Sequence, residues 1–181
     1  MRAFGIVAWS LLLAGSLCLP QAHGSNNGNA AEIVKGFVQG FYNWYVPGAL
    51  KTQETPAWSV ALKYKRSTLS PTLFRALKED SDAQAKASGE IVGLDFDPFL
   101  NTQDPCDRYE VGAVTPQKAG FQADIYGVCS GKRNEKPDVV AEVARQQDGS
   151  WAFTDFVYPA IHRDLRGTLA ALREQRQKSS R

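Results

Sequence analysis

Four carboxylates, Asp95, Asp97, Asp104 and Asp107, lie in the stretch Leu94 to Asp107 (LDFDPFLNTQDPCD), with two prolines, Pro98 and Pro105, and Cys106 among them. Carboxylates this close in sequence can hold a cation, cap turns or share a proton. Asp95, Asp97, Asn101 and Asp104 offer oxygen ligands at a spacing that invites calcium. An EF-hand, however, needs glycine at the sixth position of its loop and glutamate at the twelfth, and a loop counted from Asp95 has Leu100 and Cys106 there. The strict motif fails, leaving an irregular calcium site as the remaining metal reading. The residue types favour backbone work instead: Asp95 and Asp97 cap turns, while Gln103 and Asp104 hydrogen-bond the chain leading into the next element. Asp95, Asp97, Gln103 and Asp104 are therefore the candidate binding residues, and no metal or cofactor is expected.

A second constellation lies further along. Asp148 and Gly149 make a strong hairpin turn between Val139 to Gln146 and Trp151 to Tyr158. Pairing around it sets Glu142 opposite Asp155, on a face shared with Val140, Val157, Ala144 and Phe153. Opposed carboxylates on a half-apolar face repel unless a cation or a shared proton relieves them. Either can serve as a general base, and Tyr42 or Tyr45 as a proton donor. These four are the catalytic candidates. The plainer reading is a structural pair neutralised by a neighbouring lysine or arginine.

Other chemistries lack their residues. The sequence has no nucleophile elbow, phosphate-cradling glycine loop or nucleotide fingerprint. His162 is the one histidine outside the N-terminal leader described below, and zinc is disfavoured because Cys106 and Cys129 are expected to be oxidised.

The elements that must position these residues begin after a leader. Met1 and Arg2 precede an apolar run from Ala3 to Leu19, broken at Pro20, the order of a secretory signal peptide. Ala22 and Gly24 suit a cut after Gly24, and Leu17 before Cys18 argues against lipidation. Removing residues 1 to 24 takes away one of 21 basic residues and none of 19 acidic ones, so the remainder is nearly neutral and nucleic-acid binding is disfavoured. What remains is one domain able to bury a core. No transmembrane segment is expected after cleavage.

Residues 25 to 30 read as a flexible leader, residues 31 to 172 as the domain, and residues 173 to 181 as a solvated basic tail. Ile33, Val34, Phe37, Val38, Phe41, Trp44 and Tyr45 recur at helical spacing and predict one buried stripe, ended by Pro47 and Gly48. Trp58 to Lys65 reads as a short helix or a turn with Trp58, Leu62 and Tyr64 as its inward candidates. Ser70 and Pro71 open a third helix to about Ala87, with Leu73, Phe74 and Leu77 buried and Lys78 to Lys86 mostly solvated. Tyr109 to Val114 and Phe121 to Cys129 read as strands, completing a four-stranded sheet with the second hairpin. A turn centred between Gln117 and Lys118 places Cys106 opposite Cys129, within disulfide reach, and a bulge is expected because the apolar phase is not clean. Ile161, Leu165, Leu169 and Leu172 mark a C-terminal helix. The order is α+β.

Three segments carry a family resemblance: Phe41 to Tyr45 (FYNWY), Asp95 to Phe99 (DFDPF) with Gln103 and Asp104, and Trp151 to Tyr158 (WAFTDFVY). Over about Ala31 to Pro159 the chain resembles domain of unknown function 3828, a family of bacterial envelope proteins similar in architecture to the nuclear transport factor two-like cone. The resemblance implies a curved antiparallel sheet wrapped on N-terminal helices around a pocket. It implies no activity, since that architecture hosts enzymes and non-enzymes alike.

Two functions follow as expectations. The first is an exported, periplasmic or secreted, non-catalytic domain that binds a protein or small-molecule ligand of the cell envelope, with residues 95 to 104 at its rim. The alternative is a small acid/base enzyme of isomerase, dehydratase or hydrolase type acting on a small organic ligand. They part on whether Glu142 and Asp155 share a pocket with a tyrosine hydroxyl in reach.

Overall fold

The computed structural model describes residues 24–51 and 55–179. Residues 1–23 of the expected signal peptide lie outside these. Four helices, α1 (Gly24–Ala49), α2 (Ala57–Tyr64), α3 (Pro71–Lys86) and α4 (Leu165–Ser179), accompany six strands: β1 (Arg108–Gln117), β2 (Gly120–Cys129), β3 (Lys132–Arg133), β4 (Val139–Arg145), β5 (Trp151–Tyr158) and β6 (Arg163–Asp164). They form one antiparallel sheet in the order β1-β2-β4-β5-β6, with β3 pairing β2. The α+β expectation holds. The sheet has six strands rather than four, because β3 and β6 are two-residue ladders too short to show a hydrophobic period.

Helix α1 starts at Gly24, so residues 25 to 30, expected as a loose leader, are helical. Its buried face is Val34, Val38, Phe41, Tyr42, Tyr45 and Val46, spaced by three and four residues. The expected stripe was rotated: Ile33 is 51% exposed and Trp44 38%, while Tyr42 and Val46 go inward. Beside this face Gln39 acts as a surrogate strand. Its Oε1 accepts from the Val111 amide at 2.9 Å and its Nε2 donates to the Tyr109 carbonyl at 3.0 Å, satisfying backbone of β1 at the sheet edge. Helix α2 buries Trp58, Ala61 and Leu62, but Tyr64 points out.

Helix α3 is capped as its sequence predicts, Ser70 Oγ accepting from the Leu73 amide at 3.3 Å with Pro71 in the first turn. Its second half is not simply solvated, since Asp80 is fully buried. Asp80 Oδ1 takes Arg176 Nη1 at 2.6 Å, and Oδ2 takes the Leu94 amide at 2.9 Å. Arg176 also donates to the Val92 carbonyl at 3.0 Å. That triangle holds the end of α4 against α3, so the residues expected as a frayed basic tail are helical to Ser179.

The two hairpins carry the register. In β1 and β2 the turn lies at Lys118 and Ala119, one residue later than expected, with Gln117 opposite Gly120. A Cβ on Gly120 would sit 2.1 Å from the Val143 carbonyl oxygen, so only glycine fits there. The expected irregularity falls between Val111 and Val114 and brings Cys106 and Cys129 together in a disulfide, Cα to Cα 4.5 Å. In β4 and β5, Glu142 pairs with Asp155 as predicted. A bulge then shifts the register, so Val143 faces Phe153 and Ala144 faces Ala152. The shift turns Phe153 inward, where its ring meets Phe41 at 4.9 Å and Phe156 at 5.0 Å.

Candidate functional site

The stretch between α3 and β1 is pinned to the core by three tyrosine hydroxyls. Tyr42, on α1, donates to the Phe99 carbonyl at 2.8 Å, and Tyr158, at the end of β5, donates to the Pro98 carbonyl at 2.9 Å. Tyr45, one helical turn beyond Phe41, donates to Asp97 Oδ2 at 2.5 Å. The other oxygen of Asp97 accepts from the amides of Phe99 and Leu100 at 3.0 and 3.2 Å, an Asx turn. The Asp97 amide meets the Thr102 carbonyl at 2.9 Å, and Asn101 takes a left-handed conformation, φ 54°. Phe99 and Leu100 then plug into the core while the polar residues around them stay at the surface. Aspartate and asparagine suit this tight loop because their short side chains bond neighbouring amides.

All four candidate binding residues meet here. Asp95, Asp97, Gln103 and Asp104 line one groove of about 520 Å³, closed on its other sides by Lys51 at the end of α1 and Trp58 at the start of α2. Gln103 Nε2 donates to the Asp95 carbonyl at 2.8 Å, and Thr102 Oγ1 ties itself to the backbone of Asp104, so the rim is braced. The carboxylates of Asp95 and Asp104 stand at the exposed rim and Asp97 deeper. Burial raises the Asp97 carboxyl to about 6, against the pull of its hydrogen bonds from Tyr45, Phe99 and Leu100. Burial likewise pushes the Tyr42 and Tyr45 hydroxyls well above the ordinary tyrosine value, with the Asp97 charge adding to it. Both stay protonated donors.

Glu142 and Asp155 are adjacent in the sheet but serve different partners. Glu142 Oε1 accepts from Gln122 at 3.1 Å. Asp155 Oδ1 accepts from the amides of Phe156 at 2.8 Å and Arg166 at 3.1 Å, the latter in the first turn of α4, where Asp164 also caps Gly167 at 2.6 Å. Two carboxylates thus face the positive end of that helix. Burial raises the Asp155 carboxyl to about 6, with Asp164 and Glu142 adding repulsion. Neither Glu142 nor Asp155 takes a hydrogen bond from Tyr42, Tyr45 or Tyr158, whose hydroxyls all go to the 97–99 turn.

Among the described residues, no group of three or more His, Cys, Asp or Glu side chains is placed to hold a metal ion, and no helix is long and apolar enough to cross a membrane. Three contributors escaped the sequence reading. Tyr158 stands in the sequence only as the end of its strand, Trp58 only as an inward residue of α2, and Lys51 carries no marker at all. Nothing local marks them, because each meets the site through a contact distant in sequence. Compared with known proteins, the chain matches no family model, no curated protein and no solved structure.

Proposed function

We propose that this chain is an exported, non-catalytic binding domain of the cell envelope, and that the groove beside residues 94 to 105 is its ligand site. One observation carries the reading. Four polar residues singled out by type alone converge on a single braced groove, and Asp97, the deep carboxylate among its described residues, spends both oxygens on hydrogen bonds within the protein. Three donors hold the Asp97 carboxylate in place, which favours a turn-building role for it over that of a general base. The exposed residues Asp95 and Asp104 at the rim suit a ligand with a cationic or hydrogen-bond-donating head. The leader-like N-terminus and the Cys106 to Cys129 disulfide support an oxidising compartment. The resemblance to domain of unknown function 3828, with its cone-like sheet, belongs to the same reading.

The test is a thermal-shift screen of amines, amino-sugar fragments and short basic peptides against the protein and its Asp95→Asn/Asp104→Asn variant. A rise in Tm that the variant loses supports the groove. A rise that persists in the variant moves the ligand elsewhere, and no rise with any compound counts against a small-molecule site.

A further inference from the structure

A second concave surface lies away from the acidic groove. From Thr55 to Lys78 the sequence holds five basic residues, Lys63, Lys65, Arg66, Arg75 and Lys78, and no acidic one. The fold gathers four of them, Lys63, Arg66, Arg75 and Lys78, on a groove of about 1130 Å³ between α2, the start of α3 and the hairpin of β4 and β5. In a chain whose formal net charge is only +2, this is a marked local excess.

Elsewhere in the molecule the arginines divide: Arg108 and Arg133 meet Glu110, Arg173 meets Glu79 and Arg176 meets Asp80, while Arg145, Arg163 and Arg166 make no ion pair among the described residues but are not gathered on this groove. Among the described residues, Lys63, Arg66 and Arg75 have no ion-pair partner, and only Lys78 is matched, by Asp82. The groove's one acid, Asp148, turns its Oδ1 to the Ser150 hydroxyl at 2.6 Å and amide at 2.9 Å. A concave surface of one sign focuses its field and concentrates counter-ions, while the self-repulsion of its charges opposes folding.

The rest of the lining narrows the counter-ion. The Arg66 guanidinium lies over the Phe74 ring, 4.7 Å from its centre, and the Tyr64 ring is 64% exposed with Lys63 over it at 5.1 Å. Gln146, Gln147 and Ser150 form the opposite wall with amides and a hydroxyl. Guanidinium forks take oxyanions, amides and hydroxyls exchange hydrogen bonds with sugar hydroxyls, and an exposed ring offers a stacking face.

We propose that this basic groove binds an oxyanion-bearing saccharide chain, at a site separate from the acidic groove and independent of its ligand. The experiment measures binding of polygalacturonate and dextran sulfate by the purified protein and by the Arg66→Gln/Arg75→Gln and Tyr64→Ala variants. Neutral dextran, a single-stranded oligodeoxynucleotide and phosphatidylglycerol vesicles are the comparators. The expected result is salt-sensitive binding of the anionic polysaccharides, weakened roughly ten-fold or more in the double variant with Tm unchanged, and weakened by Tyr64→Ala for the polysaccharides only. No polysaccharide binding, equal binding by the double variant, or tighter binding of oligonucleotide or vesicles would overturn the proposal.

Discussion

The hydroxyl of Tyr45 and Oδ2 of Asp97, 52 residues apart in sequence, are 2.5 Å from one another and join α1 to the turn that builds the candidate groove. Desolvation acts against the Asp97 charge while three donors act for it. Replacing Tyr45 by Phe keeps the ring contacts with Phe41 and Phe99 and deletes the donor alone. We expect Y45F to lose about 1 to 3 kcal/mol in urea unfolding at pH 7, the penalty for leaving a buried acceptor short of a partner. The Asp97 carboxyl, followed by NMR, should titrate above about 6. An unchanged stability and titration would mean that the hydroxyl is not a donor to Asp97.

Stability should fall as pH rises from about 4 to 6. Asp97 and Asp155 both have native carboxyls raised to about 6 from 3.8. Between those values the unfolded chain has released the protons and the folded one still holds them, so raising pH favours unfolding, and the loss levels off above about 6. Each group contributes on the order of a few kcal/mol at most. D97N and D155N should each flatten the slope of unfolding free energy against pH. A profile as steep in both variants as in the parent would assign the slope to other groups.

Asp80 and Arg176 form a pair with only 1% and 18% of their side chains exposed, and breaking it leaves the Leu94 amide without its acceptor. D80A should destabilise the protein by about 3 kcal/mol or more. Hydrogen exchange should quicken in the last turns of α4 and at Val92 to Leu94 together, because one carboxylate serves both. Faster exchange in one of these segments without the other would break the proposed linkage.

The Cys106 to Cys129 disulfide closes a loop with a sequence separation of 23. By loop entropy it stabilises by roughly 3 kcal/mol. The double Cys→Ala variant should show a correspondingly lower urea midpoint with an unchanged circular dichroism spectrum, and reducing agent should lower the parent's midpoint but not the variant's.

Much of the local structure could be read from the chain. The three- and four-residue spacing of Val34, Val38, Phe41 and Tyr45 marks a helix face, Ser70 and Pro71 mark a helix start, and Asp148 and Gly149 set Glu142 against Asp155. The errors came where a contact distant in sequence overrode a local preference. Asp80 sits among Lys78, Glu79 and Asp82 and looks solvated until Arg176, 96 residues on, reaches it. Phe153 reads as outward by strict alternation until the bulge turns it in. The basic groove was legible as the acid-free run from Thr55 to Lys78, a signal lost when charge is averaged over the whole chain.

By itself the sequence determined the main helices and strands, the turn at Asp148 and Gly149, the cysteine pairing and the residue types of the acidic rim, because most of these depend on neighbours a few residues apart. Only the tertiary structure decided that Tyr42, Tyr45 and Tyr158 converge on the 97–99 turn, and that Glu142 and Asp155 part company despite facing each other. The reason is physical. A buried hydroxyl or carboxylate must find a partner wherever the packed chain offers one, and what is offered depends on how α1, β5 and α4 are brought together.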